Sequence, residues 1–195
     1  MNVLVINAHP NRKSLTYAFS QKIVEGSEEN PHISHIEVLD LYQDKFNPVL
    51  EFNETKRRRD MYQDANFDKY REKITWADKL VFVYPIWWGR PPAILLGFFD
   101  QVFAANFAYN DQGGIFPEGL LKGKSAICIS TMKGPANYPL VMLNNCHKVL
   151  MKRAVLNVVG IKRVTFFEFG NMESSSGKQD KKLNKIYRYF TKLVN

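Results

Sequence analysis

The residues of this chain that could do chemistry fall in three short, turn-prone stretches, and their types favour holding a ligand over attacking one. The first is Asn7-Ala8-His9-Pro10-Asn11-Arg12-Lys13-Ser14-Leu15-Thr16, entered from the apolar run Val3-Leu4-Val5-Ile6. Ser14 can cap a helix in which Leu15, Ala18, Phe19 and Ile23 recur at helical spacing. A strand that hands its chain to a helix N-terminus presents unpaired N–H groups and the positive end of the helix dipole. The Ser14 and Thr16 hydroxyls add donors, so a phosphate is the expected guest and a plain helix cap the competing reading. The loop has neither G-x-G-x-x-G nor G-x-x-x-x-G-K-[ST], which disfavours a dinucleotide Rossmann site and a P-loop.

The second stretch, Pro85-Ile86-Trp87-Trp88-Gly89-Arg90-Pro91-Pro92, contributes two indoles. The third, Ser130-Thr131-Met132-Lys133-Gly134-Pro135-Ala136-Asn137-Tyr138, contributes backbone amides and one phenol. Phosphate donors, flat indoles and open amides together suit a planar ring with a phosphate tail, which in outline is flavin mononucleotide (FMN). An exposed corner or a dimer contact is the other reading of Trp87 and Trp88. No nucleophile or acid–base pair is conspicuous.

Each stretch needs an element to deliver it. Val3–Ile6, Leu80–Tyr84 and Ser125–Ile129 are continuous apolar runs of the kind a parallel strand covered on both faces requires, and residues 35–42 and 162–169 read as two further strands. Helices are expected from Ser14 onward, over 67–76, from Ala93 to about Asn106, from Leu140 through Met151 and over 180–194. Five strands alternating with helices predict an α/β domain with a mainly parallel sheet, whose ligands bind beyond the carboxyl ends of the strands. All three stretches fall there. The helix from Ala93 is apolar on every side, so a second cover is expected for it, and a partner subunit is the economical candidate. Residues 49–65 read as an exposed polar excursion holding the Lys56-Arg57-Arg58-Arg59 run, and 107–123 as a Gly-rich loop with Tyr109, Gly113, Gly114 and Gly119.

Bulk properties set limits. A chain of 195 residues that is 45% hydrophobic predicts one domain, 1–195. The absence of a long apolar run and of a basic, apolar leader predicts a soluble, cytoplasmic protein without membrane insertion. Two cysteines and four histidines without ligand spacing argue against a disulfide framework and against a metal site. The net charge of +8 concentrates anionic substrates; in the basic tail Leu183, Ile186, Tyr187, Phe190 and Val194 form an apolar stripe, so its charges read as a solvated face. No base-stacking motif accompanies the Lys56–Arg59 run, so specific nucleic-acid binding is not expected.

The sequence resembles the flavodoxin-like NAD(P)H quinone oxidoreductases, a family that also contains small bacterial flavoproteins and ancillary subunits of potassium-efflux systems. The resemblance lies in Ile6-Asn7-Ala8-His9-Pro10 with Ser14-Leu15-Thr16-Tyr17-Ala18, in Val83-Tyr84-Pro85-Ile86-Trp87-Trp88 with Pro92-Ala93-Ile94-Leu95 and Phe99, in Val102-Phe103 with Phe107-Ala108-Tyr109, and in Ile129-Ser130-Thr131 leading to Tyr138. It runs in order over nearly the whole chain. It implies a flavodoxin-like fold, a five-stranded parallel sheet with helices on both faces. It implies FMN, or alternatively FAD, as cofactor, NAD(P)H as electron donor and a quinone or similar small acceptor; the all-apolar Ala93 helix, with the Tyr109 loop, is for its part the expected homodimer interface. By position, His9, Ser14, Leu15, Thr16 and Ala18 would meet the phosphate and ribityl chain. Pro85, Ile86, Trp87, Trp88, Ser130, Thr131, Met132, Lys133 and Gly134 would meet the ring, with Tyr138 at its pyrimidine side; Tyr138 and Tyr109 are the catalytic candidates.

Two features depart from the family pattern. The third loop has Ser-Thr-Met-Lys-Gly where Thr-Thr-Gly-Gly is common. The histidine six residues past the tyrosine is Asn144, and a second active-site tyrosine is Asp111, so a tyrosine–histidine relay does not carry over. The other flavin readings are an ancillary subunit of a potassium-efflux system and a flavodoxin-type carrier; carriers of that kind are typically acidic, unlike this chain.

Overall fold

Strand β1 (Asn2–Asn7) is followed by α1 (Leu15–Glu28), β2 (His35–Asp40), two 3-10 turns (Arg58–Gln63 and Ala65–Phe67), α2 (Asp68–Trp76), β3 (Lys79–Pro85) and α3 (Ala93–Val102). Next come the short strands β4 (Tyr109–Asn110) and β5 (Glu118–Gly119), then β6 (Ser125–Thr131), α4 (Tyr138–Leu143), α5 (Cys146–Lys148), a π-helical stretch (Val149–Leu156), β7 (Arg163–Phe169) and α6 (Gln179–Phe190). The computed structural model describes residues 1–54, 57–110, 117–172 and 178–194. Among these no helix is long and apolar enough to cross a membrane.

The five long strands pair in parallel in the order β2-β1-β3-β6-β7. Successive side chains of a strand point to opposite faces, and here both faces are covered, which is why the central runs are apolar at every position. Leu4, Ile6, Leu80, Phe82, Tyr84 and Cys128 face α2, α3 and the π-helical stretch. Val3, Val5, Val81, Val83, Ile127 and Ile129 face Phe19 and Ile23 of α1 and Ile186 and Phe190 of α6. Asn30, just past α1, ties those two helices by donating to the carbonyls of Phe190 (2.7 Å) and Leu193 (2.8 Å) at the end of α6. Val194 falls outside the stripe and is exposed.

The all-apolar helix finds a second cover inside the chain. Phe98 of α3 packs against Phe46 (ring centroids 5.5 Å) and Tyr70 (5.8 Å), Gln101 donates to the Asn47 carbonyl (2.7 Å), and the helix stops at Val102. Nor is the polar excursion wholly exposed. Met61 turns inward, as Phe67 does just beyond the excursion, and the buried Arg71 guanidinium donates to the carbonyls of Met61 (3.2 Å) and Asp64 (2.6 Å) and pairs with Asp68 (2.7 Å). A single buried side chain among many charges leaves no periodicity to read. Arg57 pairs with Asp60 (2.7 Å), while Lys56 lies outside the described residues, as do Asp111, Gly113 and Gly114.

The helix expected from Leu140 through Met151 is broken. Asn144 (φ 48°) and Asn145 (φ 54°) both adopt the left-handed conformation, which asparagine tolerates better than most residues, and end α4 before α5 begins.

Gly97 records how closely the chain covers α3: a Cβ there would lie 2.6 Å from the Pro48 Cα. Gly97→Ala should therefore destabilise the fold by a net of about 1–2 kcal/mol. The overpacking cost, up to about 3 kcal/mol, exceeds the roughly 1 kcal/mol gained in helix propensity. Urea unfolding measures this, and a stabilised variant would show that residues 46–50 do not press on the helix.

Candidate functional site

At the carboxyl end of β1 the chain is shaped by its own side chains. Asn7, buried, donates to Ser20 Oγ (2.6 Å) and accepts from the His9 amide (3.0 Å), which turns the backbone out of the strand. The Asn11 amide donates to His9 Nδ1 (3.0 Å). Nδ1 also lies 3.1 Å from the Asn11 carbonyl, so it accepts from the amide in one tautomer of the ring and donates to the carbonyl in the other. Burial pushes the His9 pKa down, against an upward pull from the Asn11 carbonyl, so the neutral ring is favoured. Ser14 Oγ accepts from the Tyr17 amide (3.1 Å), the cap read from sequence, and its own hydroxyl proton stays available. The Leu15 and Thr16 amides stand at a helix start, where no intrahelical acceptor exists. Cap and anion site are thus compatible on the same serine.

The other two loops are level with the first because their strands are. Ile86 donates its amide to the Thr131 carbonyl (2.8 Å), and Met132 donates to the Phe169 carbonyl (2.9 Å). Trp87 and Arg90 exchange backbone hydrogen bonds (3.0 and 3.1 Å) around Trp88 and Gly89, both at positive φ as a I′ turn requires. This turn throws the Trp88 indole into solvent, 97% exposed, while Trp87 stays beside His9 with ring centroids 6.2 Å apart. The first and third loops are joined by the Thr16 and Thr131 hydroxyls, 2.6 Å apart and buried.

Between them lies a cavity of about 380 Å³ lined by His9, Ser14, Leu15, Thr16, Pro85, Ile86, Trp87, Thr131, Met132, Lys133 and Met172. All but Met172 were named from sequence. Met172 follows the last strand and donates its amide to the Met132 carbonyl (3.2 Å); the one available signal was that β7 ends at the same edge of the sheet. The remaining candidates stand apart from the lining. Ala18 sits on α1 behind Ser14, whose carbonyl accepts the Ala18 amide (3.0 Å). Ser130 points to the face opposite Thr131, fully buried, as strand alternation demands. Gly134, past the end of β6, passes its carbonyl to the Asn171 amide (2.8 Å). Trp88 is in solvent, Tyr138 opens α4 half-exposed, and Tyr109, on β4, is half-buried against the α3 side of the core.

A family model described as flavodoxin-like fold matches residues 1–193. An uncharacterized NAD(P)H oxidoreductase of Haemophilus influenzae is 31% identical over 183 residues, 93% of this chain and 89% of the relative. The chain spans 58% and 53% of longer relatives from Penicillium crustosum and Cavia porcellus. Among solved structures, Smu.1420 from Streptococcus mutans superposes with a TM-score of 0.88 at 37% identity over 99% of this chain and 100% of that one. The NAD(P)H:quinone oxidoreductase from Methanothermobacter marburgensis gives 0.80 at 27% over 100% and 99%.

The Thr16–Thr131 bridge predicts a non-additive cycle. Thr16→Val strands a buried hydroxyl and should cost about 1–3 kcal/mol, as should Thr131→Val, whereas the double variant should lose far less than the sum because no polar atom is left unpaired. Denaturant unfolding of the four proteins gives the coupling; additive losses would mean the two hydroxyls do not hold the loops together.

Proposed function

The chain belongs to the flavodoxin-like fold family, and on that premise we propose that it is a flavin-dependent NAD(P)H oxidoreductase passing two electrons to a quinone or similar small acceptor. The observation that carries this reading is the cavity itself. It lies beyond the carboxyl ends of β1, β3 and β6, where open α/β sheets bind their ligands, and its walls combine anion donors, an indole and backbone amides. The activity named for the Haemophilus influenzae and Methanothermobacter marburgensis relatives is of the same class.

The lining fits a flavin. Ser14, the Leu15 and Thr16 amides and the His9 ring would hold a phosphate, with Ala18 supporting the helix turn behind them. Pro85, Ile86 and Trp87 would wall one side of the ring and Thr131 and Met132 the other, with the Lys133 cation and, beside the cavity, Gly134 near negative charge on its far side. One anion-binding helix start matches a mononucleotide with one phosphate, which favours FMN over FAD. Bound there, the flavin supplies hydride acceptance from NAD(P)H and two-electron delivery to the acceptor. The work of the chain is to hold the ring, exclude water from its edge and present a flat surface for stacking. Tyr138, outside the cavity, would donate its phenol proton to charge developing at the mouth. Tyr109 would serve across a dimer contact, since it does not line the cavity of its own chain.

A homodimer is part of the proposal, with its support moved from α3 to α4, where Leu140, Val141 and Met142 are 59%, 66% and 65% exposed. Light scattering at micromolar concentration should show a dimer that Val141→Asp dissociates; a fully active monomeric wild type would refute it.

Flavin fluorescence titration tests the site. Ser14→Ala should weaken FMN at least tenfold, because a charge-assisted hydrogen bond contributes roughly 1.5–3 kcal/mol. Unchanged affinity with a stability loss of about 1 kcal/mol would mean a plain helix cap. A wild-type protein that binds neither FMN nor FAD would overturn the functional reading.

A further inference from the structure

The segment that carries Lys133 and Tyr138 has little packing of its own. In α4 only Pro139 is buried, so the position of the helix is set by its two ends. Both ends dock on the carboxyl end of β7 and the residues after it, and the far end also meets the second loop, where the Cys146 thiol donates to the Gly89 carbonyl (3.0 Å). At the near end, Gly134 accepts from the Asn171 amide (2.8 Å), and a Cβ on Gly170 would lie 2.6 Å from the Gly134 carbonyl oxygen. At the far end, beyond the left-handed Asn144 and Asn145, the chain closes on Glu168. His147, with no exposed surface, brings Nε2 to 3.3 Å from Glu168 Oε1, and the Lys148 ammonium pairs with Oε2. The imidazole also stands edge-on to Phe166, with centroids 6.2 Å apart. Among the described residues neither His147 nitrogen has an aligned hydrogen bond, so the direct ion pair at Glu168 is the one made by Lys148, with the imidazole packed beside it.

We infer that Glu168 is a positioning residue: through His147 and Lys148 it latches the far end of segment 134–148, and with it the Tyr138 phenol, to the carboxyl end of β7. The consequence for flavin reduction rests on the proposed function; the latch does not. Glu168 sits one residue before Phe169, whose carbonyl holds the Met132 amide, and pairs in register with Ser130. A shift at Glu168 is therefore passed to the amides of the third loop.

The latch should respond to pH. Burial lowers the His147 pKa, Glu168 pulls it up, and Lys148 on the same helix pushes it down. The other titratable groups on this face are Tyr84 of β3 and Cys128 of β6, both raised by burial and so neutral. When the segment opens, His147 returns to its ordinary value near 6.5 and binds a proton more readily than when closed. Opening is thus favoured as pH falls below about 6.5.

Hydrogen exchange on the full chain, corrected for intrinsic rates, tests this without any cofactor. Amides of residues 143–149 should lose up to about tenfold protection between pH 7 and 5.5, and His147→Gln should remove that dependence. Lys148→Met, a change at the surface side of the latch, should lower their protection severalfold at both pH values, and Lys148→Arg should restore it. With FMN bound, Lys148→Met should slow flavin reduction by NAD(P)H at least threefold while FMN affinity stays within twofold, again with rescue by arginine. If His147→Gln fails to fold, the two Lys148 variants decide the matter. Unchanged protection in Lys148→Met overturns the latch, and lost protection with unchanged flavin reduction overturns the positioning role. A wild type that binds no flavin defeats the functional reading alone, since the exchange experiment still judges the latch.

Discussion

Parallel register between β1, β3 and β6 is the constraint on which everything at the candidate site depends. Asn7 lies opposite Val83, and Pro85 opposite Thr131, so the three strands end within two residues of one another. Parallel strands run in one direction, so level ends mean that the loops carrying His9, Trp87 and Lys133 emerge on one edge and face one another. A slip of one residue would send every side chain of a strand to the other face, and both faces of this sheet are packed. The register is therefore held by the whole core, and the site inherits its precision from it.

The same alternation divides the polar residues at the sheet's end into two populations. Thr131 turns toward α1 and meets Thr16 at the cavity wall, whereas its neighbour Ser130 turns under the sheet with Tyr84 and Glu168. The cavity thus rests on a buried polar layer, to which α5 adds His147. Buried polar groups with few partners are costly in an otherwise apolar core, and here they sit directly behind the loops that form the site.

The cover of α3 bears on assembly. A helix apolar on all sides must be covered on all sides, and the chain meets that demand with residues 46–50 and the 3-10 turns that follow, pinned by Arg71. Leu140, Val141 and Met142 leave an apolar exposed face on α4, a short helix between a loop of the site and two left-handed asparagines. Any surface that buries α4 also bears on the segment holding Tyr138, so assembly and the mouth of the site are linked by position.

The sequence by itself determined the sheet and the edge at which its loops gather. Apolar runs such as Val3–Ile6 and Leu80–Tyr84 can be satisfied only between two covered faces, and turn-prone residues at their carboxyl ends mark where the chain leaves, so ten of the residues lining the cavity were legible as one-dimensional pattern. Tertiary structure alone decided the rest. Met172 joined the lining because β7 ends beside β6; Ser130 left it because of the pleat; Trp88 went to solvent because a I′ turn left its side chain no neighbour. Which surface covers α3, and that His147 would find Glu168, depend on contacts between residues far apart in the chain, and local sequence carries no record of a neighbour that arrives only when the chain has folded.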